Sequence, residues 1–139
     1  MNLFNLLLEK QLEDKFTSAV AAVEYKHKWL LGLSTANDDR KNKWAMPGGH
    51  IKNNENIKKA AERECWEETG IKVKAYSTHD YFKYKKEGVA FVHCKPTSSN
   101  IRFDNNNEFS ALGFFSIKEM KSLKLYDNVL DIINKIKKL

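Results

Sequence analysis

The chain has 139 residues, 42% hydrophobic, 12% aromatic and 30% charged, with 6 Gly and 2 Pro. That balance excludes collagen-like, proline-rich and wholly disordered chains and fits one domain over residues 1–139. Lys and Arg number 24 against 18 Asp and Glu, a net charge of +6 that favours anionic partners such as nucleotides or nucleic acid.

Apolar residues at 3, 4, 7, 8, 12 and 16 recur at helical spacing and predict a short amphipathic helix. Glu9 and Lys10 interrupt it, no basic stretch precedes it and no small-residue cleavage site follows, so a secretion signal is not expected. No apolar run approaches the roughly 20 residues of a membrane-spanning helix, and the chain is expected to be soluble and cytoplasmic, without a membrane partner. Cys65 and Cys94 are too few and too far apart to imply a disulfide framework.

Ser18 to Tyr25 and Trp29 to Ser34 are rich in strand formers and are separated by Lys26-His27-Lys28, which predicts a hairpin. Thr35 to Lys43 is a polar loop, and Trp44-Ala45-Met46 leads into a sharp turn at Pro47-Gly48-Gly49. A helix is predicted over Asn56 to Thr69, capped by Asn53 or Asn54 and closed by Gly70. Ile71 to Tyr84 and Val89 to Lys95 read as strands joined through Lys85 to Gly88. A polar loop from Thr97 to Asn107 precedes a last strand, Phe109 to Phe115. Ser116 and Glu119 form a capping box, and a final helix from Asp127 turns Val129, Leu130, Ile132, Ile133 and Ile136 inward.

Glu64, Glu67 and Glu68, spaced i, i+3 and i+4, fall within about a third of the helix circumference. Ile57, Ala60, Ala61 and Cys65 share that side, so the three acids are expected to point toward protein rather than open solvent. They repel one another and sit in the last turns, where the helix dipole disfavours negative charge. A cation relieves both costs. Hard oxygen ligands suit Mg²⁺ or Mn²⁺, and no paired Cys and His stand at zinc spacing.

The surroundings are Gly49, five residues, Glu55, seven residues, then Arg63-Glu64-Cys65-Trp66-Glu67-Glu68-Thr69-Gly70-Ile71. This segment resembles the Nudix box, with seven fixed residues in register; at typical frequencies of roughly 6% each, chance supplies such a match about once in a few million chains of this length. Cys65 stands where the family has an aliphatic residue, and a small buried Cys preserves that packing. The resemblance implies an α/β/α sandwich with a mixed β-sheet that hydrolyses a diphosphate linkage in a MutT-like nucleoside diphosphate derivative. It implies that Glu64, Glu67 and Glu68 bind metal with the Gly49 carbonyl, and that Glu55, Arg63 and Gly70 shape the box. The proton acceptor is then Glu64 or Glu67, or a glutamate on a later loop, for which Glu108 is the candidate.

Trp44, Tyr81, Phe82 and Tyr84 are candidates to stack on a base, Trp44 and Phe82 first among them, although each also suits a core or strand face. The expected substrate is a nucleoside triphosphate, ADP-ribose, a dinucleotide or an RNA 5′ end, and a homodimer is common in the family. Two other readings share the fold: a non-catalytic nucleotide or RNA sensor, against which the intact acidic cluster counts, and an isoprenoid diphosphate isomerase, for which Cys94 lacks an evident partner.

Overall fold

A computed structural model describes residues 2–4, 16–76, 88–99, 101, 103 and 108–137. Seven strands, β1 (Ser18–Tyr25), β2 (Lys28–Ser34), β3 (Trp44–Ala45), β4 (Gly48–His50), β5 (Val73–Ala75), β6 (Val89–Pro96) and β7 (Phe109–Phe115), form one mixed sheet. Its path runs β3-β2-β1-β6-β5, with β4 on β1 and β7 on β2. β1 and β6 pair in parallel from Ser18↔Val89 to Val23↔Cys94, whereas the other pairings are antiparallel.

Both faces of the sheet are covered, so the central strands are apolar on both sides. In β1, Ala19, Ala21 and Val23 face one core and Ala22 the other, and in β6 Ala90, Val92 and Cys94 oppose Phe91 in the same way. The first core is closed by α1 (Ile57–Thr69), through Ile57, Ala60, Ala61 and Cys65. The second is closed by α2 (Ile117–Met120) and α3 (Val129–Lys137), through Met120, Val129, Ile132, Ile133 and Ile136. This is an α/β/α sandwich, as expected.

Several local expectations are corrected. The hairpin turn is the two-residue Lys26-His27, both with positive φ of 50° and 63°, and β2 begins at Lys28. That sense of turn matches strand twist. The cap of α1 is Asn56, whose side chain accepts from the Lys59 backbone N–H at 2.8 Å, not Asn53 or Asn54. An earlier cap is unavailable because Asn54 holds φ at 66° and the Glu55 backbone N–H donates to Lys52, closing a turn before the helix. Gly70 closes α1 with φ at 76° and donates its N–H to the Trp66 carbonyl. The Ser116–Glu119 capping box is present in both halves, while α3 starts at Val129 because Asn128, φ 63°, turns the chain just before it. Leu130 is only half-buried.

The strand expected from Ile71 is described as Val73–Ala75, its continuation to Tyr84 lying outside the described residues, as does nearly all of the expected N-terminal helix. Both cysteines are buried and free. No described helix is long and apolar enough to cross a membrane. Asn56→Ala is expected to lower stability by about 1 kcal/mol, the usual worth of such a cap, read as a lower urea midpoint with an unchanged slope.

Candidate active site

α1 and the loop before it are joined by one guanidinium. Arg63 donates from Nε and Nη2 to Glu55 at 2.8 and 3.0 Å, and from Nη2 to the His50 carbonyl at 3.0 Å. Its Nη1 donates to Glu64 at 2.9 Å and to Glu67 at 3.1 Å. Glu55 also accepts from the Lys52 backbone N–H at 3.1 Å, and the Arg63 bonds hold its carboxyl below the usual range. The same acids hold the guanidinium firmly charged, its pKa raised above the ordinary arginine value.

The three acids of the helix do not share one environment. Glu68 is 8% exposed, the Glu64 side chain is 15% exposed and the Glu67 side chain is about half exposed. The inward grouping is corrected in this respect. At about 100° per residue the buried stripe runs from Ala60 round to Thr69, so Glu68 lies near its centre, Glu64 within it and Glu67 just past its edge.

Glu68 reaches inward because the backbone beside it carries no side chains. Its Oε2 accepts from the Gly48 N–H at 2.9 Å. A Cβ on Gly48 would sit 2.7 Å from the Ala19 carbonyl oxygen, and one on Gly49 would sit 2.6 Å from the Glu64 carboxylate. Gly48 is therefore required by close approach to backbone, while a side chain at Gly49 would displace the Glu64 carboxylate. Burial first, then the neighbouring Glu64 and Glu108, push the Glu68 carboxyl up to about 9.

Gly48, Gly49, Glu68 and Glu108 line one cleft of about 310 Å³, within the range of small-molecule sites. Its apolar walls include Val20, Met46, Phe91, Phe109, Val129 and Ile132, and Asp38, Asp39, Arg40, Asp127 and Asn128 add polar groups. Glu108 is thus brought beside the acids of α1 although 40 residues separate it from Glu68. Trp44 is not brought there. Its ring packs edge-on against Phe115 at 4.9 Å in the second core, which corrects the base-stacking expectation for it. Phe82, with Tyr81 and Tyr84, lies outside the described residues.

Sequence reasoning missed Arg40, the Asp127-Asn128 pair and the walls from Met46, Phe91 and Phe109. Those walls are themselves buried core residues, so nothing in their type or spacing distinguishes them. Cys65 packs in the core with its thiol pushed up to about 12 by burial, which makes it no nucleophile at neutral pH.

The family model for the NUDIX domain matches residues 15–135. The chain therefore belongs to the Nudix family of hydrolases, enzymes of acid anhydrides. Among solved structures it is similar to a MutT protein from Methanosarcina mazei Go1, with 21% identity over 89% of this chain and 94% of that one, TM-score 0.69. It is similar also to an ADP-ribose pyrophosphatase from Streptococcus suis 89-1591, with 25% identity, 84% and 85% coverage and TM-score 0.65. A C. elegans Ap4A hydrolase shares 17% identity over 87% of this chain and 96% of that one, TM-score 0.67. No curated protein sequence matches the chain significantly.

The donor set fits a hard divalent cation in charge and chemistry. Among the described residues no three Asp, Glu, His or Cys side chains converge as a finished cage, since Arg63 holds Glu64 and Glu67. Yet Glu64 is among the groups that raise the pKa of buried Glu68, and a cation between such carboxyls relieves their repulsion.

A sign follows for stability. The Glu68 carboxyl binds its proton more tightly folded than unfolded, so without metal the protein is expected to be most stable below about pH 4.5 on this group's account. That contribution is lost progressively as pH rises toward about 9. Glu68→Gln is expected to flatten the dependence and melt higher than wild type at pH 8 in EDTA, as thermal scans from pH 5 to 9 would show. A variant with the wild-type slope would contradict the assignment.

Proposed function

We propose that the protein is a metal-dependent pyrophosphohydrolase that cleaves the diphosphate of a nucleoside diphosphate linked to another group. The observation that carries this reading is the buried Glu68, set with Gly49 and Glu108 in a cleft that combines acidic groups with apolar walls, and with Glu64 against the Gly49 backbone. Carboxylates take the metal-bound end of a nucleotide and apolar walls take its base. The names of similar structures, an ADP-ribose pyrophosphatase and an Ap4A hydrolase, lie within this substrate class.

Glu64, Glu68 and the Gly49 carbonyl would hold Mg²⁺ or Mn²⁺, with Glu67 joining them on release from Arg63. The metal supplies charge neutralisation of the diphosphate and acidification of a bound water. Arg63 keeps the Glu64 carboxylate oriented against the Gly49 backbone and ties both to the loop through Glu55. Glu108 is the proton acceptor on this reading. It lines the cleft with Glu68, whereas Glu64 and Glu67 are already engaged as acceptors by the Arg63 guanidinium. The cleft's volume suits one nucleoside with its phosphates better than an RNA end.

The test is a panel of nucleoside triphosphates, ADP-ribose, dinucleoside polyphosphates, nucleotide sugars and 5′-capped RNA, with Mg²⁺, Mn²⁺ or EDTA, products read by mass. Metal-dependent cleavage of one of these classes is expected, and nucleotide binding without turnover would move the protein to the sensor class. Glu68→Gln is expected to lose at least about a hundredfold in kcat while remaining folded, and Glu108→Gln to lose kcat with little change in KM.

A further inference from the structure

The loop between β2 and β3 presents one cation to an otherwise acidic cleft. Among the described residues lining the cleft, Arg40 is the one positively charged side chain, against Asp38, Asp39, Glu68, Glu108 and Asp127. Arg40 is held by its neighbour, donating from Nε to both oxygens of Asp38 at 3.2 and 3.3 Å and from Nη2 to Oδ2 at 2.8 Å. Its backbone N–H donates to Asp38 as well, at 2.8 Å.

The loop that carries the pair is pinned at both ends. The Thr35 backbone N–H donates to the Glu108 carbonyl at 3.1 Å, and the Ser34 N–H to the Lys43 carbonyl at 2.9 Å. Asn42 donates back to the Ser34 carbonyl at 3.0 Å. The loop is thus tied to the Glu108 backbone, and Arg40, Glu108 and Glu68 line the same cleft.

An aspartate paired with a guanidinium fork occupies the geometry that a phosphate oxygen pair occupies. Both partners are nearly half exposed, side chains at 42% and 45%, so the ion pair is weak and easily exchanged. A diphosphate held at Glu64 and Glu68 extends toward Glu108 and brings anionic oxygens to the one cation there. We propose that Arg40 is a substrate-binding residue that exchanges Asp38 for the outer phosphate of the diphosphate, with Asp38 its place-holder in the free protein. This inference rests on the hydrolase reading.

Inorganic pyrophosphate with Mg²⁺, followed by calorimetry, tests it without reference to any base. Arg40→Ala is expected to weaken pyrophosphate binding about tenfold to a hundredfold, the worth of a charge-assisted hydrogen bond, with Arg40→Lys recovering part of the loss. Asp38→Asn separates binding from loop structure. It is expected to bind pyrophosphate at least as tightly as wild type, because it releases the guanidinium, whereas a merely structural pair would make it as defective as Arg40→Ala. On the substrate found by the panel, Arg40→Ala is expected to raise KM more than it lowers kcat. Wild-type binding by Arg40→Ala overturns the inference and leaves the hydrolase reading intact. Failure of the wild-type protein to bind Mg²⁺–pyrophosphate, with no cleavage across the panel, overturns both.

Discussion

The Arg63 guanidinium is the tie on which the arrangement of the site depends. It stands in the middle of α1 and reaches Glu55 and His50 in the preceding loop and Glu64 and Glu67 on its own helix. β4 carries the glycines and the helix carries the acids, and this one planar fork ties the helix to the end of β4 at His50 and to the loop at Glu55. Lysine has a single nitrogen and cannot span those partners. With the tie in place, Glu64 lies on the Gly49 backbone and Glu68 is carried inward to the Gly48 N–H. The cost is a buried carboxyl beside another carboxylate, accepted here in the protonated form.

The cleft draws on both faces of the sheet. Its Glu68 comes from α1, whose apolar side belongs to the first core, while its walls from Phe91, Val129 and Ile132 belong to the second. The two meet because β4 is three residues long and has glycines at two of its positions, which lets the helix side chains pass close to the backbone beside β1. Charged and apolar groups are thereby brought into one cavity.

Much of this was legible in the sequence where a local rule operates alone. The spacing of Gly49, Glu55, Arg63, Glu64, Glu67, Glu68 and Gly70 marked the box, and the capping box at Ser116 was readable from two residues because both of its hydrogen bonds are local. The cap of α1 was misplaced since three asparagines stand within four residues, and which one has extended backbone is decided by the turn that ends at Glu55. Helical spacing put three acids on one side, but burial distinguishes them by tens of degrees that a face count does not resolve. Trp44 looked like a stacking residue by type, and only the packing of Phe115 against it settles its place. Arg40 carried no signal, because its meaning depends on β7 bringing Glu108 alongside.

The parallel pairing of β1 with β6 also governs when the site can exist. Ser18 meets Val89 and Val23 meets Cys94, contacts about 70 residues apart in the chain. Closing such a loop is slow and is rewarded only when both strands are present. The helix with its acids can form early from local bonds, but it lacks the sheet face it rests on until β6 has docked beside β1. Glu68 is therefore desolvated late, and a growing chain exposes an ordinary ionised glutamate there until most of the protein has been synthesised.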